Sequence, residues 1–278
     1  MHCNKGIVLK IWRWAAGGFA AAGLLATGAL WATSPKAGPD QTLLPPKTPY
    51  TKGAYFAYSQ PWGAERSGLA NWWSPLATSM GIDTSRFPDN TTAHWRWPPF
   101  APRNGPGVWS YQAVMHGNYD GGETETPIPP RRVHDVQAYS QDFAWTIDEA
   151  HGQANVLTEF YLRSSPTDSE SKLLEVGWLL HTPEHSRKYF EAARKVGTYT
   201  DPQGRTWDVR IDAKYCMFAP QQQSDIPKGT IDMRAALTWL QQTGLITGNE
   251  WLWGVALGAE AISGTGQVSI QHWSVKRM

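Results

Sequence analysis

The chain has 278 residues, with 25 Lys and Arg against 24 Asp and Glu, for a net charge of +1. Three of the basic residues precede residue 14, which leaves 22 basic against 24 acidic residues in the remainder. Nucleic-acid binding requires clustered Lys and Arg, so this balance excludes a nucleic-acid partner. The 16 Trp residues offer flat, amphipathic faces that pack in a core or stack on sugar rings.

The N-terminal segment, residues 1–32, has the composition of an export signal. Lys5, Lys10 and Arg13 precede an uncharged, Ala-rich run over residues 14–32. A basic region followed by an apolar region directs export, and 19 uncharged residues suit either a cleaved signal peptide or a retained membrane anchor. Basic flanks stay on the cytoplasmic side. Both alternatives therefore predict an exported domain, periplasmic or secreted, and the second attaches it to the inner membrane.

A linker and a single domain follow this segment. Residues 33–50 contain five prolines, which predicts an extended linker. Residues 51–278 are then long enough for one β-sandwich domain, and a monomer is expected. Cys3 precedes the apolar run, so Cys216 has no disulfide partner in the exported part and is expected to be a small buried hydrophobe.

Short runs of aromatic and β-branched residues, separated by Gly, Pro and Asn, predict a β-rich domain. Asp201-Pro202-Gln203-Gly204 has strong turn chemistry, so the runs that flank it form a hairpin. The predicted strands are 55–58, 91–97, 108–116, 156–163, 173–181, 196–200, 205–211, 215–219, 251–260 and 268–275.

One helix is predicted within residues 229–244. Apolar residues recur at helical spacing from Met233 to Leu240, Thr230 is the expected N-cap, and Gly244 stands where a helix commonly ends. Many strands with a single late helix predict an all-β jelly-roll sandwich of two antiparallel sheets with one packed α-helix.

Three acidic residues lie within apolar strands: Glu159, Glu175 and Glu260. Burying an unpaired carboxylate is costly, so such residues are usually paired, capped or functional. Glycoside hydrolysis requires two carboxyl groups across the scissile bond, one protonated and one ionised. The alternative is that these side chains face solvent on a one-sided sheet.

Other catalytic chemistries find no support in the sequence. His181 and His185 are separated by Pro183 and lack the Glu of a zinc-protease pattern. There is no Gly-x-Ser-x-Gly nucleophile elbow and no Gly-rich phosphate loop before a helix. No metal and no cofactor are implied.

In order and spacing, segments over most of residues 55–275 resemble glycoside hydrolase family 12, the endoglucanase and xyloglucanase family with a jelly-roll fold. Leu174-Glu175-Val176 is similar to the strand that carries the family's nucleophile, and Leu257-Gly258-Ala259-Glu260 to its Phe-Gly-Thr-Glu acid/base segment. The other segments that carry the resemblance are 59–63, 94–98, 108–114, 155–162, 204–209, 216–219, the 231–242 helix and 271–275.

The resemblance implies an endo-acting β-1,4-glucan hydrolase that retains the anomeric configuration. Glu175 would be the nucleophile and Glu260 the acid/base, while Glu159 would replace the family's Asp and hydrogen-bond Glu175. The substrate would be a cellulose-like, mixed-linkage or xyloglucan polymer. The residues expected to line its cleft are Trp62, Trp95, Trp97 and Tyr111.

Two residues depart from the family pattern on the nucleophile strand. Gly177 and Leu179 stand where the family has Met and Trp on the cleft face, and by period two Trp178 points to the other face. A sugar platform is thus missing. This change favours one rival hypothesis, a non-catalytic glycan-binding jelly roll of the cell envelope, whereas the retained Glu pair favours the enzyme. A third hypothesis is an envelope structural protein with no ligand.

Overall fold

The computed structural model describes residues 35–68, 77–103, 106–121 and 126–278. The predicted signal or anchor, residues 1–32, lies outside this part of the chain. The fifteen strands are β1 (Thr42–Leu44), β2 (Tyr50–Lys52), β3 (Tyr55–Gln60), β4 (Thr78–Ile82), β5 (Thr91–Arg96), β6 (Ser110–Gly117), β7 (Arg131–Arg132), β8 (Tyr139–Arg163), β9 (Lys172–His181), β10 (Arg194–Thr200), β11 (Thr206–Asp212), β12 (Tyr215–Pro220), β13 (Lys228–Asp232), β14 (Trp251–Leu252) and β15 (Gly254–Arg277).

Strands β8 and β15 are the centre of the fold, because each takes part in two layers. The C-terminal half of β8 and the N-terminal half of β15 pair in a layer of order β2-β3-β6-β15-β8-β9-β12-β11-β10. Their other halves pair with β5 and β13, and β5 continues to β4 and β1. The two layers enclose the main apolar core. The predicted jelly-roll sandwich is confirmed.

Strand β15 corrects the prediction of separate strands at 251–260 and 268–275. The segment from Gly254 continues as one strand to Arg277. The register against β8 shifts between Ala261 and Ser263 and again between Thr265 and Gln267. Gly264 between them has φ of 61°, a conformation that glycine adopts readily. Such bulges bend a strand, which lets β15 pass from one layer to the other.

The predicted late helix is confirmed, with a different N-cap. Helix α3 (Met233–Gln242) begins at Asp232, whose side chain accepts a hydrogen bond from the Ala235 N–H, while Thr230 belongs to β13. Gly244 follows the helix with φ of 74° and donates to the Gln241 carbonyl, as in a Schellman cap.

Two further helices were not predicted. Helix α1 (Trp62–Arg66) follows β3, and helix α2 (Glu184–Ala192) connects β9 to β10. A 3-10 turn spans Val133–Asp135. None of the helices in the described ranges is long and apolar enough to cross a membrane.

The predicted linker over residues 33–50 is in part a component of the domain. Thr42–Leu44 pairs antiparallel with β4, from Thr42 opposite Ile82 to Leu44 opposite Met80. The side chain of Gln41 donates to the Asn90 carbonyl at 2.8 Å and to the Thr92 hydroxyl at 2.9 Å. Pro39 and Pro46 lie in turns, in which the next residues, Asp40 and Lys47, have φ of 63° and 59°, and the short edge strand lies between these turns.

Candidate active site

The outer face of the β2-to-β10 layer is concave and carries a cavity of about 470 Å³. On β9, Leu174, Val176 and Trp178 point into the main core. The alternate residues therefore face the cavity. The side chains that line the cavity are Gln60, Trp62, Arg66, Pro106, Tyr111, Tyr119, Asp120, Asn155, Glu159, Tyr161, Lys172, Glu175, Leu179, Ser186, Tyr189, Asp212, Ala213, Lys214, Tyr215, Met217 and Glu260.

Strand register places the three predicted carboxylates on this one face. Glu159 lies on β8, opposite Ala256 of β15 and Gly177 of β9. Glu260 pairs with Asn155, and Glu175 pairs with Tyr161. Because Asn155, Glu159 and Tyr161 differ by even numbers along β8, they and their partners share a face. The structure thus brings Glu159, Glu175 and Glu260 together at one cavity.

Glu159 is the most deeply buried of the three carboxylates, with 3% of its surface exposed. The Tyr119 hydroxyl donates to its Oε1, and its carboxyl shares a hydrogen bond with Glu175. Burial and the charge of Glu175 raise the pKa of Glu159 well above its usual value. The hydrogen bond that the two carboxyls share raises the pKa of Glu159 and lowers that of Glu175, so the proton of the pair resides on Glu159.

Glu175 and Glu260 are half-buried, and different neighbours shift their pKa values. Burial raises the pKa of Glu175 to about 7, the hydrogen bond from Glu159 and the charge of Lys172 lower it, and Glu260 raises it. Burial and the charge of Glu159 raise the pKa of Glu260 to about 8, against a hydrogen bond from the Asn155 amide at 3.0 Å. The hydrogen bond from Glu159 and the charge of Lys172 thus favour the ionised form of Glu175.

Tyr215 of β12 occupies the space above Gly177, where the sequence resemblance predicted a missing side chain. It pairs with Glu175 in a parallel ladder, and its ring covers Gly177, where a Cβ atom would lie 2.7 Å from the phenol oxygen. That oxygen is buried and has no hydrogen-bond partner within the described ranges. Burial, and then the charges on Glu159, Glu260 and Glu175, raise the pKa of Tyr215 well above its usual value, so its hydroxyl is neutral; it lines the same cavity as the three carboxyls.

The structure places two of the four aromatic residues expected in the cleft at the cavity. Trp62 and Tyr111 line the cavity, and the Arg66 guanidinium lies 5.1 Å from the Trp62 ring centre. Trp95 and Trp97, only 1% and 3% exposed, belong to the core between the layers.

The burial of both misassigned rings has a structural reason. Strand β5 is buried on both faces, so its alternation did not mark a solvent side. The Trp95 indole N–H donates to the Ser263 carbonyl at 3.2 Å, and that of Trp97 to the Ser110 hydroxyl at 2.7 Å. These two residues therefore stabilise the sandwich rather than the cleft.

Several site residues escaped sequence reasoning. Asn155 and Tyr161 were detectable, since they stand at even spacing from Glu159 on the same strand. Lys172, whose ammonium lies 4.0 Å from the Tyr161 ring centre and pairs with Asp120, lies at the start of its strand and carried no signal. Tyr119 lies in a loop, and the position of Tyr215 depends on a parallel pairing that local sequence does not encode.

Comparison with known proteins yields a likeness of fold alone. No protein-family model matches the chain, and no curated protein matches its sequence. Among solved structures, a metagenome-derived glycoside hydrolase family 12 endoglucanase aligns with a TM-score of 0.67 at 17% identity, over 87% of this chain and 99% of its own. The chain has the fold of family 12 glycoside hydrolases.

Two further family 12 structures agree. Endoglucanase 3 of Trichoderma harzianum aligns with a TM-score of 0.64 at 16% identity, over 87% of this chain and 100% of its own. The family 12 xyloglucanase of Bacillus licheniformis, in complex with ligand, aligns with a TM-score of 0.65 at 19% identity, over 86% and 99%. Each of these proteins is thus covered almost entirely, so the resemblance extends over the whole family 12 domain.

Proposed function

We propose that this protein hydrolyses β-1,4-glucans with retention of the anomeric configuration. One observation carries the proposal: strand register places the carboxyl groups of Glu159, Glu175 and Glu260 on one face around a single cavity, where burial raises the pKa of each. A retaining glycosidase requires an ionised nucleophile and a protonated acid in the same cavity. The family 12 fold supports the assignment of Glu175 and Glu260 to those roles.

In the first step, the Glu175 carboxylate attacks the anomeric carbon of the glucosyl residue. The glycosidic C–O bond breaks, and its electrons go to the leaving oxygen, which takes the proton of Glu260. The products are a glycosyl ester on Glu175 and a leaving glucan fragment whose former glycosidic oxygen is now a free 4-hydroxyl. Glu159 acts through its hydrogen bond to Glu175: it positions the nucleophile and does not touch the reacting carbon. This hydrogen bond weakens when the ester forms, because the charge on Glu175 disappears.

In the second step, Glu260 is ionised and accepts a proton from water. The water oxygen attacks the same anomeric carbon, the ester bond to Glu175 breaks, and the free carboxylate returns. Two inversions at one carbon restore the original configuration. The Asn155 amide, which donates to Glu260 at 3.0 Å, stabilises the ionised form that this step requires.

A β-glucan is the substrate that the comparisons favour. The aligned structures are endoglucanases and a xyloglucanase, and the cavity adds the aromatic faces of Trp62 and Tyr111, which suit the C–H faces of sugar rings. Endo attack, implied by the sequence resemblance, requires a groove open at both ends. The carboxyl groups determine the bond and the stereochemistry, and the proposal concerns these rather than the position of the cut.

Two variants test the roles. Glu175→Gln removes the nucleophile with little change of shape and should abolish hydrolysis of every β-glucan. Glu260→Gln removes the proton donor but not the nucleophile, so it should lose polymer hydrolysis yet still form the glycosyl-enzyme from an aryl glycoside with a good leaving group. Mass spectrometry of the intact protein detects the added glucosyl mass.

The outcomes separate the enzyme from its rival. Proton NMR of the first product should show the β-anomer, because retention preserves it. A Glu175→Gln protein as active as the unchanged one would end the proposal. A protein that binds soluble β-glucan, hydrolyses none of it and forms no covalent adduct would instead be a glycan-binding protein.

A further inference from the structure

Helix α2 packs on the concave face over β9, β12 and β11. In a groove open at both ends, this face of the strands would be accessible to a bound chain. The cavity crosses the layer from Gln60 of β3 to Asp212 of β11. Beyond β9, a bound chain would have to pass over β12 and β11. On β11 the residues that face this side are Asp208, Arg210 and Asp212, which pair with Ala219, Met217 and Tyr215 of β12.

All three of these β11 side chains are engaged on that side. The Tyr189 hydroxyl of α2 donates to Asp212 at 2.7 Å. The Arg210 guanidinium donates to the Glu191 and Ala193 carbonyls at 2.7 and 2.9 Å. Asp208 accepts from Lys195, just after the helix, at 3.1 Å. The C-terminal end of α2 is therefore bonded to the floor of the groove on the β11 side.

An apolar contact fixes the middle of the helix. Phe190 is 7% exposed and belongs to the same apolar cluster as Leu179 and Met217, on the concave face. Its ring also lies 5.4 Å from the Arg210 guanidinium carbon. Leu179 holds the position where the sequence resemblance led us to look for a sugar platform. Leu179 is 4% exposed and packs in the same cluster as Phe190, so it presents no flat aromatic platform to a sugar.

The N-terminal end of α2 contacts the loop that precedes β6. The His185 ring lies so close to Gly107 that a Cβ atom there would overlap its Nε2. A second cavity of about 350 Å³ is lined by Arg187, Phe190 and Glu191 of α2, and it shares Leu179 with the first. The helix thus lies between the two cavities of the concave face.

The opposite end of the cavity has no such cover among the residues described. Trp62 and Arg66 line it there, and Arg66 also lines a further cavity with Phe100 and Trp109. The Phe100 side chain is 60% exposed, so its ring offers an apolar face next to that further cavity.

We propose that α2 closes the cleft on the β11 side, so that the site takes the end of a β-glucan chain or a short oligosaccharide rather than the interior of a polymer. The ligand would abut Tyr189 and extend past Trp62 toward Phe100. This inference rests on the proposed function, which it makes narrower by fixing where along a chain the bond is cut. A fixed wall at one end sets a fixed number of sugar residues between that wall and the carboxyl pair.

The test measures cleavage position against chain length. β-1,4-Gluco-oligosaccharides from the disaccharide to the octasaccharide, labelled with ¹⁸O at the reducing end, are digested and the products are identified by mass spectrometry. We expect one cut at a constant distance from one chain end, whatever the length. On a soluble polymer, reducing ends should accumulate with little early loss of viscosity. Cuts at several internal positions with a rapid fall in viscosity would overturn the inference.

A pair of helix variants gives the second measurement. Tyr189→Ala combined with Phe190→Ala removes the hydrogen bond to Asp212 and the apolar contact that hold α2 down. This protein should gain cuts at additional positions in the longer oligosaccharides. The control is Lys188→Ala on the same helix, since Lys188 is 72% exposed and pairs with Glu184 of that helix; its product pattern should match the unchanged protein.

Failure of the inference and failure of the proposed function look different. A protein that cuts glucans at many positions refutes the closed end and keeps the hydrolase. A protein that cleaves no oligosaccharide of any length refutes both. If the double variant does not fold, the cleavage positions of the unchanged protein decide the question alone.

Discussion

The phenol of Tyr215 fills the space above Gly177: a Cβ atom at Gly177 would lie 2.7 Å from its oxygen and 2.9 Å from the nearest ring carbon. These two residues come from neighbouring strands, β12 and β9, and together they supply one side chain beside Glu175. In the sequence, Gly177 stood for the absence of a cleft side chain. In the structure, the absence of a side chain at Gly177 leaves the space that the Tyr215 ring occupies. Any residue larger than glycine at 177 must displace the ring.

Tyr215→Phe should reduce kcat by about 10- to 100-fold, the range for losing a hydrogen bond to a charged group. The Tyr215 hydroxyl has no partner in the described part of the structure and faces the carboxyl cluster, so its natural acceptor is the nucleophile or a substrate oxygen. Folding stability should change by less than about 1 kcal/mol, because no hydrogen bond of the resting protein is lost. Steady-state kinetics and urea unfolding measure the two effects.

A second tyrosine provides the matched control. The Tyr199 hydroxyl is also buried and without a partner within the described ranges, but its ring packs against Phe218 and Trp239, away from the cleft. Tyr199→Phe should leave kcat unchanged. Equal activity of the Tyr215→Phe protein and the unchanged protein would show that Tyr215 acts only as a filler above Gly177.

The tryptophans should separate into cleft and core by substitution. Trp97→Ala leaves a cavity beside Trp109, on which Trp97 stacks at 5.6 Å, so it should cost about 3–5 kcal/mol of folding stability. Trp62→Ala changes a half-buried residue at the cleft, so it should raise KM several-fold with a much smaller loss of stability. Chemical denaturation and kinetics on a soluble glucan distinguish the two. The reverse pattern would contradict the assignment of Trp62 to the cleft.

The sequence predicted those features that depend on local pattern. Alternation on β9 placed Glu175 on one face and Trp178 on the other, and Asp201-Pro202-Gln203-Gly204 predicted the hairpin that joins β10 and β11. The turn is as expected: Asp201 accepts hydrogen bonds from the Gln203 and Arg205 N–H groups, and Gly204 has φ of 80°.

Features set by distant contacts were not predictable in this way. Trp95 and Trp97 alternate with polar residues, but β5 is covered on both sides, and alternation identifies a solvent side only when one exists. Helix α2 carries few apolar residues, and Phe190 became its anchor because Leu179 and Met217 meet it across the fold. Tyr215 required knowledge that β12 pairs parallel with β9.

Export is a prediction that the described residues do not test, and we propose it on sequence alone. Lys5, Lys10 and Arg13 before the uncharged 14–32 run should direct the domain across the inner membrane. Alkaline phosphatase fused after residue 50 should be active, and a cytoplasm-only reporter at the same point should not be. Replacing Leu24 and Leu25 with Arg breaks the apolar run and should reverse both results. An active cytoplasmic reporter on the unaltered segment would refute export.

Glu159→Gln tests whether Glu159 is protonated in the resting protein. A glutamine amide can accept from Tyr119 and donate to Glu175, as the protonated carboxyl does, so activity should remain within about tenfold of the unchanged protein. Glu159→Ala loses both bonds and should lose about 100-fold or more. An inactive Glu159→Gln protein with native circular dichroism would show that the charge of Glu159 is required.

The same substitution has a signed effect on stability. Because the folded-state pKa of Glu159 is raised above its unfolded value, the unchanged protein loses stability as pH rises from the unfolded pKa toward the folded one. Glutamine has no proton to lose. The Glu159→Gln protein should therefore be the more stable of the two at neutral pH, and its advantage should shrink toward pH 4. Thermal unfolding across that range measures the difference.

The pH dependence of kcat/KM should be bell-shaped, with both limbs above the usual carboxyl range of about 4.5. Activity requires ionised Glu175, whose pKa is raised to about 7, and protonated Glu260, whose pKa is raised to about 8. Since kcat/KM reports the free enzyme, the optimum should lie between these values. In Glu260→Gln, the alkaline limb should disappear on an aryl glycoside that needs no acid, while the acidic limb of Glu175 should persist. An optimum near pH 5, with both limbs at ordinary carboxyl values, would contradict the burial of the pair.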